Sequence, residues 1–308
     1  MLSYILRRLL MAPLVVLVLV TISFVIIRAA PGGPFSGERR MDPVVEEALR
    51  AKYHLDEPLA MQYVRWLGDL CRGDLGPSYK QKTRTVNEII ADTLPTSLFL
   101  GALSLLLALF VGLIAGILGA VRQDRAWDHA TMLLAMVGLS IPTFVIGPML
   151  VLVFAMHLGW LPVAEYKGPW HPSYLILPAV TLAIPFAARI ARLSRAGMLD
   201  VINADFIRTA RAKGSPEMGV ILRHALPSAM IPVVGFLGPA VAALLTGSLV
   251  IEKIFQIPGL GREFVESATN RDYTLVMGTV IVYGLIVLLC NLLADLLLGV
   301  IDPRIRYE

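Results

Sequence analysis

Charge is scarce in this chain. Of 308 residues only 16% are charged, against about 25% in an ordinary soluble domain. Cysteine is scarcer still: Cys71 and Cys290 stand far apart in unlike segments, which excludes a disulfide framework and a cysteine zinc site. The five histidines (His54, His129, His157, His171, His224) show no H-E-x-x-H spacing, so no metal ligation is expected. No Gly-Lys dipeptide occurs anywhere, so there is no phosphate-cradling P-loop and ATP is not bound in that way. No Gly-x-Ser-x-Gly elbow appears, and His157 stands alone near a helix end, so an intramembrane hydrolase lacks its catalytic groups. The cations fall between apolar runs and not on one basic face, which excludes nucleic acid as a partner.

What the chain has is apolar length. Apolar residues make up 56% and mean hydropathy is +0.72, so the expected fold class is an all-α membrane protein. Six runs are long enough to span: Leu9–Ile27, Leu94–Val121, roughly Ala130–Leu158, a shorter one at about Ser173–Ala188, Ala225–Ile251, and Tyr273 to near Ile301. Lipid offers no partner for free backbone groups, so each should be helical. The first run, 19 residues long, exceeds a signal-peptide core of about 7–15 residues and reads as a retained helix. Arg7, Arg8, Arg122, Arg125, the seven cations from Arg189 to Arg223, and Arg304 and Arg306 fall on one side; only Lys167, Lys253, Arg262 and Arg271 fall in the opposite short loops. The positive-inside rule therefore predicts both termini in the cytoplasm. The organisation expected is a first spanning helix at 1–30, an external segment at 31–92, and a five-helix core at 93–308.

In the external segment Asp42-Pro43 predicts a capped helix to about His54. After Glu57-Pro58, residues Tyr63, Trp66, Leu67 and Leu70 share one helical face, which suits an amphipathic cap more than a docking surface. Prolines mark the later spans: Pro142 and Pro148 in the third, Pro178 and Pro185 in the fourth, Pro232 and Pro239 in the fifth, with Gly235, Gly238 and Gly247 nearby. Bent, closely packed helices are expected. Asp295, one turn after Asn291, is the one clear acid at depth, and pairing with an arginine or a neighbouring helix is expected of it rather than proton coupling.

The stretch from Asn203 to Pro227 is the most informative. Asn203 suits an N-cap and Asp205 a first turn; Arg208, Arg211 and Lys213 suit the end of a helix. Gly214 sits where a left-handed glycine would stop that helix. Ser215-Pro216-Glu217 reads as the start of a second short helix running to Pro227. Topological charge explains the cations but not a helix–glycine–helix fold, which implies a docking partner.

This stretch resembles the EAA motif of ABC-importer permeases: Arg208-Thr209-Ala210, then Gly214, then His224-Ala225-Leu226-Pro227 at the same spacing. The motif's usual glutamate and isoleucine are absent, and Arg208 to Gly214 has the form found in peptide permeases. Further matches are Ala30-Pro31-Gly32, Gly73-Asp74-Leu75-Gly76 with Ser78, Ile141-Pro142-Thr143-Phe144, Pro258-Gly259-Leu260-Gly261, Asn270-Arg271-Asp272-Tyr273 and Asp302-Pro303-Arg304. Together they are similar to the B-type permease subunit of bacterial oligopeptide importers. The run from Pro31 to Glu38 and Ala51-Lys-Tyr-His-Leu55 resemble the oligopeptide subtype more than dipeptide, nickel or glutathione relatives.

The resemblance implies a type I ABC-importer permease fold in the bacterial inner membrane. It implies a second homologous permease, two ATP-binding subunits that hold the ATP and Mg, and an external binding protein that delivers peptide. This chain would then carry no cofactor and perform no catalysis. Phe206, Ala210, Gly214, Leu226 and Pro227 would shape and present the coupling loop, and Arg208 and Arg211 would meet acids on an ATPase. Ser140, Thr143 and Thr246 are the expected path-lining groups. An ion-coupled secondary transporter is the competing class, and it should show several intramembrane acids or inverted repeats.

Overall fold

The computed structural model describes residues 2–29, 33, 43–168, 171–246 and 249–301. Asp42, Gly247, all but Gly33 of the stretch from Ala30 to Glu38, and Asp302-Pro303-Arg304 with Arg306 lie outside them, as do the side chains of Arg7 and Arg8. The chain is helical almost throughout. Long helices run over Leu2–Ala29 (α1), Val86–Val121 (α4), Ser173–Ile202 (α7), Ile231–Leu245 (α11) and Tyr273–Ile301 (α14). Shorter ones are α2 (Pro43–Lys52), α3 (Leu59–Cys71), α5 (Ala126–Ser140), α6 (Thr143–Leu150), α8 (Asp205–Ala212), α9 (Glu217–Gly219), α10 (Leu226–Ala229), α12 (Leu249–Ile254) and α13 (Leu260–Asn270). Among the described residues five helices are long and apolar enough to cross a bilayer, and a bent pair makes a sixth span. Leu10, Leu14, Ile22, Leu106, Phe110 and Leu134 are exposed on their outer faces, and so much exposed apolar surface needs a lipid or protein cover.

The third span is not one helix. Its two halves, Ala126–Ser140 and Thr143–His157, are bent by 107°. Ile141 and Pro142 stand extended at the corner, with ψ of 125° and 141°. Proline has no amide to continue the ladder and disfavours the helical state in the residue before it. The second half ends in a π-helical turn, Val151–His157.

Two other boundaries differ from the sequence reading. The fourth span does not stop at Ala188: α7 continues to Ile202, because Ile190, Ala191, Ser194 and Met198 stay buried while Arg189 and Arg192 point out. The second begins at Val86, about two turns before Leu94. Thr85 and Glu88 form a reciprocal capping box there, and the expected boundary at residues 92/93 falls inside this helix.

Small residues set the core geometry. On α4, Gly112 and Gly116 face α7, and Gly119 faces the start of α5. A Cβ on Gly112 would stand 2.7 Å from Ala187 O and 2.8 Å from Ile190 Cβ. Only a bare backbone allows that approach, the usual device of helix pairs in lipid. Gly238 lets α11 meet Ala294 of α14 in the same way.

The face of Tyr63, Trp66, Leu67 and Leu70 packs on the chain's own α1, with Trp66 stacked at 5.9 Å on Phe24. Tyr63 meets the Phe24 ring edge-on and shares a 2.5 Å hydrogen bond with Thr21. The amphipathic face is therefore an internal one.

Two buried acids tie together elements far apart in the chain. Asp272 accepts from Tyr79 N (3.1 Å), Lys80 N, Leu275 N and the Ser78 and Thr274 hydroxyls, so Gly73–Ser78 and Asn270–Tyr273 meet at one carboxylate. Glu252, fully buried, accepts from Ser97 Oγ at 2.7 Å and Arg262 N at 2.9 Å, and Ser97 Oγ accepts from Leu260 N at 2.9 Å. The glycines of Pro258-Gly259-Leu260-Gly261 follow from this: a Cβ on Gly259 would stand 2.6 Å from Ser97 Oγ, and one on Gly261 2.9 Å from Glu252 Oε2. Asp295 is half-buried and partnered; the acids that the described residues bury within the protein are Asp128, Glu252 and Asp272.

Candidate functional site

The loop from 203 to 227 folds as a compact unit on the end of α7. Ile207 and Ala210 of α8, Val220, Ile221 and Ala225 of a π-helical turn, and Ala229 of α10 bury together against Met198 of α7 and Ala120 of α4. Gly197 brings α7 against the Ala229 backbone, where a Cβ would not fit. This core fixes α8 relative to α4 and α7, so displacement of one moves the others.

Gly214 is the corner. Its φ is +80°, in the left-handed region that glycine enters without strain. Gly214 N bonds to Arg211 O at 2.9 Å and Ser215 N to Ala210 O at 3.3 Å. These are the two bonds of a Schellman stop, which satisfy the helix's last carbonyls. A Cβ at Gly214 would meet nothing within 4 Å, so the requirement is conformational and not steric.

The flanking caps differ from expectation. Asn203 ends α7 as its C-cap, and Ala204 precedes α8 without a side-chain cap bond. Asparagine's short polar chain suits either end of a helix, and the unbroken run of α7 decides it. Pro216, not Ser215, occupies the N-cap of α9. Glu217 forks with Arg211, Oε1 to Nη2 at 2.7 Å and Oε2 to Nε at 3.2 Å. The Arg211 guanidinium holds the Glu217 carboxyl below the usual carboxylate range, and Glu217 raises Arg211 in turn. Arg211 is therefore engaged inside the loop, while the Arg208 side chain is 72% exposed with a loose 3.7 Å contact to Asp205. The second short helix is one unbroken run from Glu217 to Ala229, passing through α9, a π-helical turn and α10, and it ends just beyond the expected Pro227. Pro227, near the start of α10, lacks the amide that would bond one α-turn back, so the ladder loosens there.

The outer surface is mixed. Phe206, Met218 and Leu222 are 49%, 66% and 51% exposed, beside exposed Arg208, Arg223 and His224. Ala210 is buried, Leu226 half-buried and Pro227 exposed. Of the expected loop residues, Ala210, Gly214 and Leu226 shape it, and Phe206, Arg208 and Pro227 face outward.

The path residues are placed differently. Ser140 Oγ donates to Met136 O at 2.8 Å and Thr246 Oγ1 to Ala242 O at 2.9 Å, each back onto its own helix. Thr143 is half-buried at the corner of the bent span. A groove of about 330 Å³ runs nearby between α5, α7 and α11, lined by Leu139, Pro185, Phe186, Arg189, Phe236, Pro239, Ala240 and Ala243. In it the Arg189 guanidinium lies 5.4 Å from the Phe236 ring centre. Arg189 is exposed on α7 and reaches this groove from its outward face.

Known proteins agree on the class. A family model described as "Binding-protein-dependent transport system inner membrane component" matches residues 92–307, and the N-terminal model of the same transport components matches 1–101. The chain is 47% identical over 307 residues to "Oligopeptide transport system permease protein OppB" of Salmonella typhimurium, covering 100% of both. It is 41% identical to "Dipeptide transport system permease protein DppB" of Bacillus subtilis, covering 99% of this chain and 98% of that one. Among solved structures, the MetNI methionine ABC transporter matches with TM-score 0.54 at 18% identity, over 70% of this chain and 96% of that one. An amino acid ABC transporter matches with TM-score 0.51 at 19% identity, over 71% and 95%. These last two bear on the fold alone. The helical spans, the Gly214 corner and the full-length likeness have one conclusion: the chain belongs to the binding-protein-dependent transport system inner membrane components and is a transport subunit of that membrane.

Proposed function

We propose that the chain is one of two permease subunits of an ATP-driven oligopeptide importer, with the 203–227 loop facing the cytoplasm as its coupling element. The observation that carries this is the loop itself: a Schellman corner at Gly214, a buried core shared with α7 and α4, and Phe206, Arg208, Met218 and Leu222 turned outward. Apolar anchors beside a cation are what a groove on a partner protein would grip. Two ATP-binding subunits would hold ATP and Mg there, and an external peptide-binding protein would meet the cap on the other face. Closure of the ATPases would push α8, and the shared core would pass the push to α7 and α4. The path would run between this chain and the second permease along the groove of Phe186, Arg189 and Phe236, with Ser140, Thr143 and Thr246 beside it. Oligopeptide cargo is favoured by full-length likeness to the OppB proteins; competition between dialanine and tetra-alanine for uptake decides between this and a dipeptide preference.

The test is Gly214→Asp in the complete transporter. A side chain at positive φ costs about 1–2 kcal/mol, and a carboxylate at a helix C-terminus adds about 0.3–1 kcal/mol against the dipole. With no atom in the way, insertion and abundance should stay normal while peptide uptake falls and ATPase activity loses its link to it. Normal uptake at normal abundance would sink the coupling role.

A further inference from the structure

One ion pair, its carboxylate buried and its guanidinium half-buried, joins the loop's supporting helix to the bent span. Arg195 lies near the end of α7 and Asp128 in the first turn of α5. Arg195 Nε donates to Asp128 Oδ1 at 2.5 Å, and Nη2 to Oδ2 at 2.6 Å. Asp124 N adds a bond to Oδ2 at 3.0 Å, and Asp128 is 1% exposed. The backbone of α4 closes over the pair: a Cβ on Gly119 would stand 3.2 Å from Asp128 Oδ1 and 3.6 Å from Arg195 Cδ. Three helices therefore meet at one carboxylate.

A pair with one partner buried is a poor way to add stability, because desolvation offsets the attraction and an apolar pair of like volume does as well or better. Its distinctive property is direction. A bidentate fork fixes angle as well as distance, where apolar contacts let helices slide. Its position supplies the rest. Met198, one turn beyond Arg195, lies in the core beneath α8. From Asp128, α5 runs to Ser140 and the 107° corner at Ile141-Pro142, and Leu139 beside that corner lines the groove of Arg189 and Phe236.

We propose that Arg195 and Asp128 are positioning residues for transport, the rigid joint through which movement of the 203–227 loop turns the bent third span. The proposal rests on the coupling role of that loop. It is tested in the whole transporter, reconstituted in proteoliposomes with its partner permease, ATPases and binding protein, by measuring labelled tetra-alanine uptake per ATP hydrolysed. In Asp128→Asn the amide keeps one acceptor and turns a donor on the guanidinium. The complex should assemble and hydrolyse ATP while uptake per ATP falls about 5- to 150-fold, the usual span of a coupling free energy. Asp128→Leu with Arg195→Met restores packing without the fork; it should melt at or above the wild-type temperature and stay uncoupled. Recovery of uptake together with stability in that double variant would overturn the proposal, as would a proportional fall of uptake and ATPase activity in Asp128→Asn, or no fall at all. Gly214→Asp separates the two readings. If it uncouples and Asp128→Asn does not, only the joint fails; if Gly214→Asp transports normally, the loop's role fails first.

Discussion

Removing the Glu252 carboxylate should loosen the joint of α4, α12 and α13 through stranded donors more than through lost charge. Two groups give to this side chain: Ser97 Oγ at 2.7 Å and Arg262 N at 2.9 Å. Both lie where α4, α12 and the start of α13 converge. In Glu252→Ala each loses its acceptor, and a buried donor without a partner costs about 1–3 kcal/mol. The sum is about 2–6 kcal/mol by that rule, and water entering the new space should bring it to the lower end, about 2 kcal/mol. Against a total stability of about 5–15 kcal/mol that is a large loss.

Glu252→Gln separates the causes. Its amide oxygen can take the Arg262 N–H, and its NH₂ can give to Ser97 Oγ, which already accepts from Leu260 N and has a second lone pair. The Ser97 proton then turns to the carbonyl one turn back on its own helix, as Ser104 does to Leu100 O, so each donor finds an acceptor and only the charge is gone. The assay is thermal unfolding of the detergent-purified complex, with hydrogen exchange read over residues 259–270. Glu252→Ala should melt several degrees lower and expose the start of α13; Glu252→Gln should lie within about 1 kcal/mol of wild type, the net value of an ordinary hydrogen bond. Ser97→Ala alone should cost about 1–3 kcal/mol and add less than its full value to Glu252→Ala, since the two share partners. If Gln were as damaging as Ala, charge at the α13 N-terminus would be the cause and the donor argument would be wrong.

Other outcomes follow from the same geometry. Gly116→Val should separate α4 from α7, since a Cβ there stands 2.6 Å from Ser194 Cβ and 3.1 Å from Arg195 N; backbone cannot yield, so a cost of at least about 1–3 kcal/mol is expected, read as lost abundance. Glu217→Gln should loosen the loop by less than about 1 kcal/mol, the range of exposed pairs, seen as faster exchange over 205–217. That contribution has a fixed sign with pH. The Glu217 carboxyl is depressed in the fold, so its stabilisation is complete at neutral pH and fades as pH drops below the ordinary carboxylate range toward the depressed value. Protection factors at pH 7 and pH 4 check it, and a loop more protected at the lower pH would contradict the pairing.

The spans were legible because a bilayer imposes length and hydropathy on local sequence, and α14 begins at the Tyr273 expected. The bend needed more. Pro142 signals a break, but its angle depends on what the second half packs against, here Phe255, Thr181 and Ile251 around Gly147. The long reach of α7 is hidden because hydropathy stops at Arg189 while the helix does not: one face carries cations and the other stays buried for nearly three more turns, to Met198. The start of α4 is signalled by Thr85-x-x-Glu88, a capping box that lies before the apolar run.

The site divides along the same line. Gly214 could be placed from sequence because a Schellman stop is built from consecutive residues, and its geometry is local. The acids that organise the fold could not. Asp128 meets Arg195, Glu252 meets Ser97, and Asp272 meets Ser78 across separations that no helical period connects. Each acid stands at the edge of an apolar run, where hydropathy treats it as the end of a span or the start of a loop. Each serine passes for an ordinary small residue in a helix or turn. Yet these pairs explain the glycines of Pro258–Gly261 and the fixed turn of Asn270–Tyr273 better than turn propensity does. A chain with so few charges keeps them where a helix must hold one angle to another, and that makes Asp128, which joins the loop's support to the bent span, the acid whose loss should be felt in transport before it is felt in folding.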